Sequence, residues 1–334
     1  MAAWLIYLAV GLGLLAPAFV LGWLAWRWRR RRTVCGACAL PGAAALALSV
    51  MPLQTGGLIL VGTWRSQPPD ITSEPFDGVR YDRLSLPGPP PAVIHRVIVD
   101  LTRDQVDVVV TPPDQPGAAL PVVARTTSAF LEEHGLTLAI NGNFFGPFAD
   151  VHPWHDYPDA GSPTNPNGWT YSDSLRYGFK MLRRPLIGVD TQGRWRSGLW
   201  NADVDWAHAV TGLQWVVRDG LPTDAADQPY AVTILGYNAD RTELIIVVID
   251  GKQPRYSEGL EMADLQALLI DAGCHDAVQL DGGGSATLVI ADPDGRAIVL
   301  NSPSHNRVPG RERPVATHLG LRINPKHSAG STHE

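Results

Sequence analysis

The sequence predicts a mixed α/β domain with a strand–helix–strand unit, preceded by a hairpin of two transmembrane helices. Three observations support this prediction: apolar N-terminal stretches, alternating β-rich and helical segments, and a βαβ pattern near the C-terminus. The 334 residues are 45% hydrophobic and 18% charged, which excludes a disordered chain. The three cysteines are too few for a fold held together by disulfides.

Two uncharged stretches flank an arginine-rich segment at the N-terminus. Residues 2–26 carry no charged side chain and exceed the ~20 residues that span a bilayer as a helix. Five arginines follow between positions 27 and 32, and residues 33–64 are again uncharged. We therefore expect residues 1–64 to form two helices in a bacterial inner or cytoplasmic membrane, joined by a basic cytoplasmic loop. A signal peptide is the alternative, although its charge would precede the apolar run.

This orientation places the rest of the chain in the periplasm or outside the cell, with the lipid bilayer as a partner. Residues 1–64 hold five of the 27 basic residues and none of the 33 acidic ones. The remaining 22 basic residues leave residues 65–334 with a net charge of −11. An acidic body repels phosphate backbones, so nucleic acid is not an expected partner.

The rest of the chain is expected to comprise a linker, one domain and a tail. Residues 65–92 are proline-rich and predict a linker with the strand that leads into the domain. The domain covers residues 93–325, and residues 326–334 form the tail. Within the domain we expect these elements: a hairpin of residues 93–101 and 106–111, a helix over 122–134, a strand over 136–140, an irregular loop over 146–178, a hairpin of 287–290 and 297–300, and a final strand over 316–323.

The βαβ pattern carries the functional prediction. Residues 243–249 predict a strand that ends at Asp250, residues 260–272 a helix, and residues 277–280 a strand that ends at Asp281. Such a crossover makes neighbouring strands parallel. Both aspartates would then leave the same edge of a sheet, where α/β proteins bind ligands.

The segment Asp281-Gly282-Gly283-Gly284-Ser285 is the strongest local signal. Its glycines let the backbone approach a ligand closely, and their N–H groups can cradle an anion. A flexible turn is the alternative interpretation. The segment is neither a Walker loop nor a dinucleotide fingerprint, because the lysine of the first and the glycine spacing of the second are missing.

Asp281, Asp250 and Glu258 are the candidate acid–base residues, since glycoside cleavage commonly uses two carboxylates. Glu258 could instead be an acid in the first turn of a helix, where the helix dipole favours it. Arg313 offers a forked donor suited to phosphate, or it belongs to a solvated run with its neighbours.

No cofactor or metal site is predicted, and a divalent cation is possible without being indicated. His152 and His155 could bind a metal, but the proline between them excludes helical i,i+4 geometry, and an exposed aromatic substrate loop is favoured. A calcium-stabilised surface domain that uses Asp250 and Asp281 is a further alternative.

Four ordered motifs resemble the phosphodiester glycosidase family from about residue 93 to residue 323. They are Asn141-Gly142-Asn143-Phe144-Phe145, then Asp250-Gly251-Lys252-Gln253 with Ser257-Glu258-Gly259-Leu260, then Leu280 to Thr287 around the glycines, and Glu312-Arg313-Pro314-Val315. The family usually has arginine where Lys252 stands.

The resemblance implies an α/β fold and hydrolysis of a sugar-1-phosphodiester, which releases the free sugar and leaves a phosphomonoester. By position, it implies a site lined by Asn141, Asn143, Asp281, the three glycines and Arg313. Lys252, Ser285 and Asn301 complete the expected substrate-binding set. We therefore expect a membrane-anchored extracytoplasmic glycosidase that acts on a glycan, an exopolysaccharide or another sugar phosphate. A non-catalytic envelope glycan-binding module is the alternative.

Overall fold

A computed structural model describes residues 3–28, 49–50, 52–62, 64–103, 105–152, 155–226 and 230–324. Its helices are α1 (Ala3–Trp28), α2 (Thr127–His134) and α3 (Met262–Asp271), and residues 49–50 and 52–62 are also helical. Among the described residues, no helix combines the length and the apolar character that crossing a bilayer requires. The predicted transmembrane hairpin is thus not confirmed, and most of its arginine-rich loop lies outside the described residues.

The strands of the described residues are short and numerous. In chain order they are β1 (Ile71–Phe76), β2 (Val79–Leu86), β3 (Ala92–Asp100), β4 (Gln105–Val110), β5 (Val122–Val123), β6 (Leu138–Asn141), β7 (Phe145–Gly146), β8 (Ala149–His152), β9 (His155–Tyr157), β10 (Pro163–Pro166), β11 (Thr170–Ser172), β12 (Leu175–Tyr177), β13 (Pro185–Asp190), β14 (Trp195–Leu199), β15 (Trp206–Thr211), β16 (Gln214–Arg218), β17 (Leu221–Pro222), β18 (Val232–Tyr237), β19 (Glu243–Ile249), β20 (Asp276–Gln279), β21 (Leu288–Ala291), β22 (Ala297–Val299) and β23 (His318–Asn324). Two 3₁₀ turns, Gly283–Ser285 and His305–Arg307, lie between the last strands.

An eight-stranded antiparallel sheet forms the centre of the fold, in the order β1-β2-β3-β19-β18-β20-β16-β17. Every residue of β18 is buried, which explains its lack of polar alternation. One face of this sheet packs against Met262, Leu265 and Leu269 of α3. The apolar side of that helix is therefore buried against the sheet.

Two five-stranded sheets pack on the other face, in the orders β22-β21-β6-β23-β4 and β12-β11-β15-β13-β14. One hydrophobic cluster joins the layers, with Val97 and Ile246 from the large sheet, Ile140 from β6 and Ile187 from β13. Phe130 and Leu131 of α2 cover the outer face of the β6 sheet. The result is a helix–sheet–sheet–helix sandwich that confirms the predicted mixed α/β class.

The predicted strand–helix–strand elements are present, but the two strands are not adjacent in the sheet. Strands β19 and β20 and helix α3 are present, but β18 lies between the two strands and is antiparallel to both. Strands β19 and β20 therefore run in the same direction about two strand spacings apart, on the order of 9–10 Å. Asp250 and Asp281 still leave the same edge of the sheet.

Of the other local predictions, some are confirmed and some are wrong. The hairpin of β21 and β22 is confirmed. The hairpin predicted over residues 93–101 and 106–111 is wrong, because β3 joins the large sheet and β4 pairs with β23. The helix predicted over residues 122–134 begins only at residue 127, since the side chain of Thr126 caps it. The predicted loop over residues 146–178 contains most of β7 to β12, and residues 65–92, predicted as a linker with one entry strand, contain the two strands β1 and β2.

Candidate active site

The candidate site lies where the two sheet layers meet, at the ends of β6 and β20. The Asn141 side-chain amide donates to the carbonyl of Asp281 at 2.7 Å, and the Asp281 N–H donates to the carbonyl of Gly142 at 3.1 Å. The Asn141 carbonyl oxygen accepts hydrogen bonds from the Thr233 hydroxyl and the Thr287 N–H. These bonds connect the sheets and fix the start of the glycine segment.

Asn143 serves the same region from a buried position. Its amide nitrogen donates to the Thr170 hydroxyl at 3.1 Å, and its carbonyl oxygen accepts from the Thr317 hydroxyl at 3.1 Å. The side chains of Asn141 and Asn143 are thus both buried and bonded within the protein, and that of Asn141 contacts the start of the glycine segment directly. Both are positioned to hold the site in shape.

The glycine segment, residues 281–285, makes room for two cationic side chains. Gly283 has a φ of +62°, and a Cβ added there would lie 3.2 Å from the Lys252 Nζ. A Cβ added at Gly284 would lie 2.8 Å from an Nη atom of Arg313. Any side chain at these positions would push away a charge that the glycines allow to approach the backbone.

Arg313 is the centre of a hydrogen-bond network. Its Nη1 donates to the Ser285 hydroxyl at 3.2 Å, and its Nε donates to the Nδ1 atom of His305 at 3.2 Å. Ser285 in turn hydrogen-bonds the Asp281 carboxylate. The remaining Nη2 lies 3.5 Å from the carboxylate of Asp156, a residue of β9. One guanidinium therefore lies between two carboxylates.

Asp281 is a buried carboxylate, with 7% of its surface exposed. Burial raises its pKa to about 6, and the opposing effects of Ser285, Arg313, the Gly282 N–H and Lys252 do not offset that burial. A carboxyl group with such a pKa exchanges protons at mildly acidic pH.

The pKa values of two nearby cations are lowered, although Lys252 is exposed at the surface and Arg184 is half-buried. Loss of solvation and the charges of Arg313 and Arg307 lower the pKa of Lys252. Burial lowers the pKa of Arg184, against the charge of Asp281. Cations in such surroundings gain when an anion binds among them.

Sequence reasoning missed Arg184. This residue precedes β13, and its guanidinium carbon lies 5.2 Å from the centre of the Phe144 ring. Its Nη1 is buried and has no hydrogen-bond partner among the residues described. The sequence marks Arg184 only as the second of two arginines before Pro185, which is no motif.

Asp250 lies outside the glycine segment, in a network of its own. Its carboxylate has no exposed surface and accepts hydrogen bonds from four donors: Nε2 of His95 at 3.2 Å, the Tyr256 hydroxyl at 3.2 Å, Nδ2 of Asn301 at 3.0 Å and the Ser302 N–H at 2.8 Å. A carboxylate has about four lone-pair sites, so all of them are used.

Two further predicted residues also lie apart from the glycine segment. The Asn301 amide bridges Asp250 and the carbonyl of Ala286, and its oxygen accepts from the Leu288 N–H. Glu258 is exposed, precedes α3, and donates its backbone N–H to the carbonyl of Pro91. Of the three predicted acid–base residues, the structure brings only Asp281 next to the cations.

One trio of metal-ligand type occurs among the described residues, formed by Asp219, His275 and Asp276. It lies at the start of β20, the end of that strand remote from Asp281. The Asp276 carboxylate already accepts hydrogen bonds from the hydroxyls of Ser197 and Tyr237. The trio does not include His155, whose Nε2 lies 3.5 Å from Asp159, and the side chain of His152 is outside the described part.

Comparisons with known proteins place the chain in a family. A sequence model of the phosphodiester glycosidase family matches residues 134–322, more than half of the chain. The catalytic domain of zebrafish N-acetylglucosamine-1-phosphodiester alpha-N-acetylglucosaminidase, auto-inhibited by its pro-peptide, shares the fold. It aligns with a TM-score of 0.54 and 18% identity, over 76% of this chain and 87% of that domain.

A Bacillus subtilis (strain 168) protein, the SPbeta prophage-derived uncharacterized protein YomE, is 32% identical over 83 residues. This match covers 23% of the present chain and 13% of that protein's length. The family match contains Asp281, the glycine segment, Lys252 and Arg313. The chain belongs to the phosphodiester glycosidase family of hydrolases.

Proposed function

We propose that this chain hydrolyses a sugar-1-phosphodiester linkage in a glycan or exopolysaccharide, releasing the free sugar and leaving a phosphomonoester. The observation that carries the proposal is the buried Asp281 carboxylate beside a glycine segment approached by Lys252 and Arg313. This arrangement offers a proton-exchanging group next to a site for a phosphodiester anion.

The phosphodiester binds among the cations. Arg313 and Lys252 lie against the glycines, and Arg184 presents an unpaired Nη1 near Asp281. Donors that are fixed before the reaction stabilise the charge that grows on the phosphate as it leaves the sugar. An arginine fork suits the oxygens of a phosphodiester, because it offers two parallel N–H donors.

Asp281 then acts as the proton donor. Its pKa of about 6 keeps a large protonated fraction in mildly acidic solution. Transfer of this proton to the phosphate oxygen that leaves C1 of the sugar lowers the barrier to breaking that bond. Asp281 lies beside the cations that hold the leaving group, so it is placed to protonate the leaving oxygen.

The location of the enzyme is part of the proposal. The uncharged stretches at residues 2–26 and 33–64 and the five arginines between them support an N-terminal membrane anchor with the domain outside the cytoplasm. Membrane fractionation of cells that express the full chain, followed by protease treatment of intact spheroplasts, tests this location. Full-length protein in the soluble fraction, or a domain protected from protease, contradicts it.

The activity is tested with the full chain and a panel of sugar-1-phosphodiesters, by measuring the release of reducing sugar. We expect Asp281→Asn to lower turnover by at least about 100-fold, since general acid catalysis is typically worth 10²–10⁴-fold. Asp294→Asn is the control, because this side chain is 71% exposed in the turn between β21 and β22. Wild-type turnover in Asp281→Asn contradicts the assignment. Sugar binding without any release by the wild type favours a glycan-binding module.

A further inference from the structure

The structure also supplies a second carboxylate, on an element that no motif covers. We propose that Asp156 takes the proton from the water molecule that attacks the sugar, which makes it the catalytic partner of Asp281. This inference rests on the proposed glycosidase function and deepens it. Glycosidases commonly use two carboxylates, and in inverting enzymes one donates a proton while the other activates water.

Asp156 lies in β9, which pairs with β8 so that Asp156 is opposite Asp150. This two-stranded hairpin brings the Asp156 carboxylate to 3.5 Å from Nη2 of Arg313 and 3.8 Å from Nδ1 of His305. Its side chain is 15% exposed, so it is neither sealed in the protein nor fully solvated. The hairpin thus adds a carboxylate to the cationic side of the site.

Asn306 completes the surroundings of this carboxylate. With its amide assigned in the orientation that satisfies both ends, Asn306 donates to the two Asp156 oxygens at 2.7 and 3.0 Å. Asn306 and Arg307 have φ values of +53° and +60°, a left-handed conformation that costs energy outside glycine. The loop is held in an uncommon shape that presents this amide to Asp156.

His305 is excluded as the base in this cluster. Its Nδ1 accepts a hydrogen bond from Arg313 Nε, so that nitrogen is not free to take a proton from water. Burial, with the nearby charges of Arg313 and Arg311, lowers the pKa of His305 to about 3. The imidazole stays neutral and serves to orient Arg313.

Asp250 and Glu258 are less suited than Asp156 to act as the catalytic base. All acceptor sites of Asp250 are filled by donors within the protein, and Glu258 is an exposed residue that precedes α3. Burial raises the pKa of Asp156, and Asp150 adds to that effect, while Arg313 and His155 oppose it. A raised pKa makes Asp156 a stronger base than an ordinary aspartate when ionised.

The chemical step balances with these two groups. The Asp156 carboxylate accepts a proton from water as the water oxygen forms a bond to C1 of the sugar. The bond from C1 to the phosphate oxygen breaks, its electron pair stays on that oxygen, and the oxygen takes the proton of Asp281. Asp156 then loses its proton to solvent and Asp281 regains one, which restores the enzyme.

This assignment predicts the stereochemistry. Direct attack by a water molecule on C1, from the face of the sugar opposite the phosphate, inverts the anomeric centre. Carboxylates that act through water are typically about 6.5–9.5 Å apart and invert the anomeric centre. We expect the sugar first released to have the opposite anomeric configuration to the substrate, as read by proton NMR before mutarotation. Retention of configuration overturns the proposal.

Variants of the full chain test the residue itself. We expect Asp156→Asn to lower kcat by about 10²–10⁴-fold with little change in KM. The matched control is Asp159→Asn on the same segment, whose carboxylate is 65% exposed and 3.5 Å from His155. Asp159→Asn should keep turnover within about twofold of the wild type, because surface substitutions are usually mild. Thermal melting of each variant checks that it is folded.

The pH profile separates catalysis from positioning. The base must be ionised, so wild-type kcat/KM should rise with pH on the acid side, and Asp156→Asn should lose that rise. The charged and titratable groups around Asp156 are Asp150, His155, Lys252, His305 and Arg313. A raised KM with an unchanged acid limb means that Asp156 only holds Arg313, and it overturns the proposal.

Two failures remain distinguishable. If the wild-type chain releases no sugar from any substrate, the proposed function fails and the role of Asp156 fails with it. If the wild type is active and Asp156→Asn keeps more than about a third of its kcat, only the role of Asp156 fails, because loss of a catalytic base costs far more.

Discussion

Replacing Asp281 by asparagine should make the protein more stable at neutral pH while it lowers turnover by at least about 100-fold. The wild-type carboxyl group is buried, and its pKa is raised from 3.8 to about 6. The folded state therefore binds this proton more tightly than the unfolded chain does. The stability that the proton contributes is complete below about pH 4 and is lost as the pH rises through about 6.

The size of the effect follows from the shift. One pKa unit corresponds to 1.36 kcal/mol, so a rise of about two units costs the wild type about 3 kcal/mol above pH 6. Asparagine carries no charge and avoids this cost at every pH. For a domain of this size, about 3 kcal/mol is expected to raise the melting temperature by roughly 6–12 °C.

Thermal or urea unfolding of the wild type and Asp281→Asn between pH 4 and pH 8 measures the difference. The two proteins should be nearly equal at pH 4, diverge up to pH 6 and stay apart above it. Gains in stability with losses in activity are typical of functional sites. A variant that is less stable than the wild type at pH 8 would refute the reasoning, because it would mean that the ionised carboxylate stabilises the fold.

Two further substitutions test the assignment of roles. Asp250→Asn leaves the Ser302 N–H and other buried donors without a full acceptor, so we expect a loss of roughly 3 kcal/mol in the free energy of unfolding with less than a tenfold drop in kcat of the folded protein. A drop above 100-fold at unchanged stability in urea unfolding would make Asp250 catalytic. Gly284→Ala places a methyl group 2.8 Å from an Nη atom of Arg313, so KM should rise roughly tenfold, the equivalent of 1.4 kcal/mol, while the melting temperature changes little. Gly88→Ala is the control, because a methyl group there meets open space. Equal KM values for the two variants would argue against Arg313 as a substrate ligand.

The sequence predicts local elements well where a periodic pattern ends at a clear signal. Helix α3 and the strands on either side of it are present because their apolar runs stop at Gly273, Asp250 and Asp281. The position of β18 between those strands depends on long-range pairing, which alternation and turn residues do not encode. For the same reason β3 and β4 looked like a hairpin and belong to different sheets.

In the candidate site, too, local features could be predicted from the sequence and long-range contacts could not. The glycine segment could be found from sequence, because three glycines after a strand have few structural uses. The placement of Asp250 at the right edge could also be predicted, but the four donors that fill its carboxylate come from distant segments. Asp156 and Arg184 were missed as site residues because neither lies in a motif. Asp156 comes close to Arg313, and Arg184 close to Asp281, only through the folding of short strands and turns.

The backbone of Ala231, just before β18, is confined from both sides by the two motif loops. A Cβ added at Gly251 would lie 2.2 Å from the Ala231 nitrogen, and one added at Gly282 would lie 2.5 Å from the Ala231 oxygen. This single peptide segment therefore acts as a spacer of fixed width between the Asp250 loop and the Asp281 loop. A shift of β18 by even a fraction of an ångström would be passed to both loops at once, so the spacing between Lys252 and the glycine segment depends on a strand that carries none of the chemistry.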